Sequence, residues 1–347
     1  MTFHTVAVIA AGIMMGVACV LSFGLIMSHA LHFSVPLEQK QIIRIIFTIP
    51  VFAIVAFLAV LFESRAAYLN PLSNVYESWA LASFYLLLCV WNSADDGERE
   101  RILQEQGKLG VYNRSWFFVF QQPVVMTVIT VAQEITQGAG VYCATSKKIQ
   151  FAHVWISSIS AITTTFAIGA VLRFHGATKS LTAQHKPLLK LISFKGIVFL
   201  SWIQSALFSF LTSSGHLHAN NHLSFNDLSV AIPALIVCGE MVIFSILFQF
   251  AYRIKPYTGR SDLVEANNYG SRVETRYLGG FLGVKALLAA LNVSDLVKGI
   301  LVAPGKLIRG RRMAKEELAS SGEASSKTEL TDATQHADFV QRPQQKM

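Results

Sequence analysis

Charge is scarce in this chain: 14% of its 347 residues are Asp, Glu, Lys or Arg, while 52% are hydrophobic. An average soluble chain carries about 25% charged residues, so a water-soluble fold of this size would lack the polar surface to cover itself. That argues against a soluble enzyme, a nucleic-acid binder and a disordered protein, in spite of a net charge of +8. Cysteine is sparse too. Cys19, Cys89, Cys143 and Cys238 form no CxxC or metal-like spacing and lie in or beside apolar runs, so they read as buried thiols and not as a zinc or disulfide framework. There is no Walker sequence and no DDxxD spacing, so no direct ATP coupling, cofactor or enzymatic activity is expected. The run from Asp95 to Arg101 reads as a solvated loop face. No Lys or Arg precedes Lys40. The first apolar run therefore lacks the basic flank of a secretory signal, is too long for a signal core, and is read as a retained membrane helix.

Long apolar runs are what the chain does have. They cover Thr5–Leu31, Gln41–Phe62, Val75–Trp91, Trp116–Gly140, Phe151–Leu172, Leu188–Thr212 and Leu228–Tyr252, most near the roughly 20 residues a helix needs to cross hydrocarbon. The expectation is an all-α membrane protein, a seven-transmembrane-helix bundle. Loop charge sets its orientation, because cytosolic loops carry the excess of Lys and Arg. With the N-terminus outside, the inner loops hold Lys40, Arg44, Arg99, Arg101, Lys108, Arg114, Arg173, Lys179, Lys186 and Lys190, and the outer loops only Arg65, Lys147 and Lys148. The sequons at Asn113 and Asn292 then face the cytosol and stay unmodified. No internal repeat is evident, so an inverted-repeat transporter is not supported.

Polar groups inside these runs are the candidate site. A charge in hydrocarbon costs about 2.5–3.5 kcal/mol on insertion scales and needs a partner, water or a proton. Glu240 lies midway along the seventh run and Gln204 at a similar depth on the sixth, which allows a hydrogen bond between them. Glu134 in the fourth run and Glu77 in the third are candidates for an outward-facing cavity. These four are the expected substrate contacts. Each has a plainer reading as polar glue between helices, and Lys195 reads either as an ion-pair partner or as a lysine snorkelling to the inner interface. Pro50, Pro123 and Pro233 fall within runs and are expected to bend them.

The net charge is concentrated past the last run. Arg253 to Lys315 holds twelve Lys/Arg against four Asp/Glu, and Glu316 to Met347 holds three against six. Phe281, Val284, Leu287, Leu288 and Leu291 mark one face of an amphipathic helix, and Ser294 reads as the N-cap of a second. Lys285, Lys298, Arg309, Arg311 and Arg312 flank these faces and are the expected contacts with an anionic bilayer surface. Packing beneath the bundle and docking of a cytosolic protein are the competing readings. The organisation is then a transmembrane domain over 1–257, a basic amphipathic segment over 258–312, and a disordered polar tail over 313–347.

Several segments resemble the organic solute transporter alpha-subunit family, which includes the transmembrane-protein-184 group and many fungal members. They are His32-Phe33-Ser34-Val35-Pro36-Leu37-Glu38-Gln39-Lys40-Gln41-Ile42-Ile43-Arg44-Ile45, Val75-Tyr76-Glu77-Ser78-Trp79-Ala80, Gln122-Pro123-Val124, Lys186-Pro187-Leu188-Leu189-Lys190, Ser201-Trp202-Ile203-Gln204, Cys238-Gly239-Glu240-Met241 and Lys255-Pro256-Tyr257. The run from Gly279 to Leu287 is similar to the fungal branch. The resemblance implies seven helices, an outer N-terminus and a cytosolic tail, with movement of amphipathic organic solutes such as steroid conjugates by facilitated diffusion. It further implies a small single-span partner subunit, a vacuolar or plasma-membrane location, and, from one fungal relative, a ubiquitin-like autophagy protein at the tail. The third-to-fourth loop lacks the cysteine cluster of the animal alpha subunits, and Trp91 to Glu98 stands where the transmembrane-protein-184 group carries Gly-Gly-Glu. A transporter for steroid- or terpenoid-like solutes is the leading expectation. The others are a membrane adaptor acting through its tail and, further off, an intramembrane enzyme on a lipophilic substrate.

Overall fold

The computed structural model describes residues 3–143, 148–213, 224, 226–258 and 277–313. Among the described residues every regular element is helical. The long helices are α1 (Phe3–Leu31), α2 (Pro36–Ile46), α3 (Thr48–Leu61), α4 (Ala66–Asn92), α5 (Asp96–Glu105), α6 (Leu109–Gly138) and α7 (Ala152–Ala177). The short α8 (Lys179–Thr182) precedes α9 (Pro187–Ser213), and a π-turn over Asp227–Ala231 opens α10 (Ile232–Ala251). In the tail, α11 covers Val284–Leu291 and α12 residues 294–313. The predicted disordered tail after Met313 lies outside the described residues.

Each of the seven apolar runs is helical. Among the described residues six stretches are long and apolar enough to span: Phe3–Leu31, Pro36–Leu61, Leu109–Gly138, Ala152–Ala177, Asp227–Tyr257 and Phe281–Met313. The tail helices enter this set, while α4, of 27 residues, stands outside it. For α4 the reason is its position. It packs against α2, α3 and α6 and buries Ser73, Glu77, Ser78 and Ser83 together with its apolar side chains. A helix enclosed by other helices needs less hydrophobicity than one facing lipid. Around it, α1 and α10 pack on α3 and on each other, α9 lines α10, and α6 pairs with α7.

Proline places two of the breaks. Pro50 has no N–H for the Ile46 carbonyl, and the helical ladder is interrupted between them at Phe47. Pro233 likewise cannot serve the Ser229 carbonyl, which lies in the π-turn. Pro123, and Pro71 which the apolar pattern did not single out, sit inside α6 and α4.

The two ends of the bundle differ. Where α1 begins, His4 Nδ1 lies 3.8 Å from Glu63, and burial together with neighbouring Asp227 pushes the Glu63 carboxyl up, against a smaller lowering by His4. The opposite end is knotted by side chains. Gln39 Oε1 accepts the Ser34 and Val35 N–H groups at 2.8 and 2.9 Å and its amide donates to the His32 carbonyl at 2.9 Å, fixing the α1–α2 turn. Glu38 accepts from Trp91 Nε1 at 3.2 Å and from the Tyr257 hydroxyl at 2.8 Å. His29 Nε2 donates to the Tyr252 carbonyl, and Tyr252 donates to the Lys190 carbonyl. His185 stacks on Trp91 at 4.6 Å. Burial, with Lys190 nearby, pushes that imidazole down to about 4, so it stacks as a neutral ring near pH 7.

Candidate functional site

α9 carries two of the polar residues singled out from sequence, nine positions apart. At about 1.5 Å and 100° per residue, they stand roughly 13 Å apart along the axis and on opposite sides of the helix. The structure uses both sides. Lys195 forms an ion pair with Glu77 of α4, and Gln204 donates to Glu240 Oε1 of α10. The Gln204–Glu240 contact is the one the depth argument anticipated. Lys195 does not reach out to the interface. Its ammonium is drawn to Glu77, which is mid-helix because α4 begins at Ala66, nine residues before the apolar run read from sequence.

The two acids differ in how they are satisfied. Glu77 is 7% exposed and faces a cation. Glu240 is 6% exposed, and its second oxygen has no hydrogen-bond partner among the described residues. A buried carboxyl with one free oxygen is an acceptor held ready for a donor group. Glu134 joins neither pair: it is half-buried in α6, and one of its oxygens is enclosed without a partner. Gln122, from the fourth-run motif, instead bonds Thr164 Oγ1 at 2.7 Å and ties α6 to α7. Among the described residues no cluster of His, Cys, Asp and Glu could hold a metal.

Among the described residues a densely bonded polar group is Arg44, which reads from sequence as a topology charge and as part of a family motif. Arg44, buried on α2, uses all five of its guanidinium donors. Nε donates to the Ala290 carbonyl at 2.7 Å, one terminal nitrogen to Gln41 Oε1 and Asp295 Oδ2 at 2.8 and 3.1 Å, and the other to the Asn292 carbonyl and Asp295 Oδ1. It therefore closes the end of α11 and holds the first turn of α12, with Lys40 on the same carboxylate at 2.9 Å. Asn292, not Ser294, supplies the cap at the corner: its Oδ1 accepts the Ser294 N–H at 3.1 Å. Farther along, Trp116 Nε1 donates to the Gly299 carbonyl at 2.9 Å, and a side chain at Gly299 would run into the Phe120 ring. Lys306 and Arg309 grip Glu100 at 2.6 and 3.0 Å. Partial burial alone would raise the Glu100 carboxyl, but these two cations hold it below the usual range. The acidic run is thus a structured element: Asp95 accepts the Glu98 N–H at 2.8 Å as the N-cap of α5, and Arg99 is buried.

Long apolar helices in one packed bundle, carboxyl and lysine side chains paired at mid-helix, and a basic tail folded back on one end define a multi-pass helical membrane protein. The sequence profile of the family described as organic solute transporter Ostalpha matches residues 7–257, and the chain belongs to that family. It is similar to protein LAZ1 of Arabidopsis thaliana, 24% identical over 68% of this chain and 55% of the relative. It is also similar to a transmembrane protein 184 homolog of Dictyostelium discoideum, at 23% over 80% and 57%. Vacuole membrane protein hfl11 of Schizosaccharomyces pombe matches at 24% over 71% and 61%. The chain therefore spans well under two thirds of the length of these curated relatives. No solved structure matches it. The residues that carried the resemblance meet at the knotted end, where Glu38, Gln39, Arg44, Lys190 and Tyr257 come from three separate motifs.

Proposed function

We propose that the protein crosses the membrane seven times, through α1, α2–α3, α4, α6, α7, α9 and α10, with its N-terminus outside and its tail in the cytosol. In this bundle it moves amphipathic organic solutes, steroid- or terpenoid-like, down their gradients. Two features support α4 and α9 as spans: α4 hides its polar side chains among neighbouring helices, and the lysine of α9 is paired. The tail is broken at Asn292 and holds six Lys/Arg between 277 and 313, which suits a membrane surface better than its interior. A relative that is a vacuole membrane protein makes that membrane the favoured location.

The observation that carries the transport reading is the buried Gln204–Glu240 pair, in which one carboxyl oxygen of Glu240 has no hydrogen-bond partner among the described residues. A solute hydroxyl or conjugate amide would bond there while its hydrocarbon body lies against apolar helix faces. The test is solute flux into liposomes containing the purified protein, alone and with candidate single-span partners. Glu240→Leu removes the acceptor, worth about 1.5 kcal/mol or more, and is expected to cut flux about tenfold with the helical content kept. A membrane adaptor that recruits vacuolar or autophagy machinery through its tail would show the reverse. Its cellular function would survive Glu240→Leu and fail when residues after Tyr257 are removed.

A further inference from the structure

The tail helices turn their two sides in an order that the sequence alone does not indicate. The face against the bundle is made of small residues, Ala286, Ala290, Gly299, Ala303 and Gly310, with Leu296. At Gly283 a side chain would come within 2.8 Å of Ala30 Cβ, so α11 starts directly on the end of α1. The large apolar side chains point the other way: Leu288, Leu291, Leu301 and Ile308 are exposed, Leu301 at 74%. Beside it, at the end of α1, Leu31 is also exposed, and α1 is itself strongly apolar with most of its surface uncovered.

Charge on that face has one sign. Asp295 is the single acid between 277 and 313, and Arg44 and Lys40 hold it. Glu100, the nearest acid on α5, is held by Lys306 and Arg309. Lys285, Lys298, Arg311 and Arg312 are exposed and have no carboxylate within 4 Å among the described residues. At Gly310, α12 crosses the start of α6 so closely that a side chain there would meet Arg114 at 3.5 Å. The crossing adds exposed Arg114 to the Arg311–Arg312 corner, although it lies almost two hundred positions earlier in the chain.

We infer that α11 and α12, with Arg114, form a docking face for the anionic lipid headgroups of the membrane that holds the bundle. The exposed leucines enter the acyl boundary and the cations meet phosphate and carboxylate groups above it, as an interfacial helix does. The apolar face, beside the exposed end of α1, and the absence of a free acid on α11 and α12 argue for a bilayer as occupant. The assignment does not depend on what the bundle transports.

The test uses the full chain in nanodiscs of phosphatidylcholine alone or with phosphatidylserine, reading amide hydrogen exchange over residues 285–312. Phosphatidylserine is expected to slow exchange in this segment by about tenfold or more, because each basic residue near an anionic surface adds to the attraction. High salt should reverse the effect. The variant R114Q/K298Q/R311Q/R312Q alters only side chains without acidic partners, so the bundle keeps its exchange pattern while the lipid dependence disappears. Equal exchange in both lipids, or lipid dependence kept in the variant, overturns the assignment. So does protection by inorganic phosphate in phosphatidylcholine discs, which would make the ligand a free anion.

Discussion

Arg44→Gln frees the tail from the bundle. The substitution leaves Asp295 with Lys40 alone, strips the Ala290 and Asn292 carbonyls of their donor, and opens the corner between α11 and α12. Removing one partner of a buried, hydrogen-bonded ion pair costs about 3–5 kcal/mol. The loss falls on the docking of residues 284–313, so trypsin should cut at Arg309 to Arg312 in the variant under conditions that leave the native protein intact. Lys40→Gln is the contrast. Lys40 adds one partly exposed contact to the same carboxylate, and about 1 kcal/mol or less is expected from it. Tail protection unchanged in Arg44→Gln would mean that the Gly299 and Glu100 contacts hold the tail without the latch.

The second large effect concerns Glu77 and Lys195. Glu77→Leu strands an ammonium among apolar side chains, and Lys195→Leu strands a carboxylate. Each single change should lower thermal stability in detergent by about 3–5 kcal/mol. The double variant Glu77→Leu/Lys195→Leu replaces both charges with hydrocarbon and should regain most of the loss, because the pair itself contributes little beyond its own desolvation. If the double variant loses as much as the two singles added together, the residues act independently and the ion pair does not join α4 to α9.

Sequence made the apolar helices legible because hydrophobic length is set by the bilayer and not by tertiary detail. It placed Gln204 opposite Glu240 because depth follows from counting residues along two antiparallel helices. It could not place Lys195. The beginning of α4 is polar enough to look like loop, with Asn70, Pro71, Ser73 and Asn74, which hides that Glu77 lies mid-helix. The role of Arg44 was hidden for another reason. Its partners lie about 250 positions away, and positive charge near a helix end reads first as topology. In the tail the three- and four-residue spacing of the leucines was visible, but which side of the helix met the bundle depended on Gly299 fitting Phe120. Asn113 shows the same limit. It is fully buried, so an absence of sugar there carries no information about topology, while Asn292 is exposed.

In the proposed seven-span topology the loop after α6 is outside and the basic tail inside. Cys143, partly exposed just past α6, provides a native probe. In sealed vesicles of known orientation with the outer face exposed, a membrane-impermeant maleimide should label Cys143 and leave Arg311→Cys unlabelled until detergent is added. Labelling of Arg311→Cys before detergent, with Cys143 protected, would contradict the account.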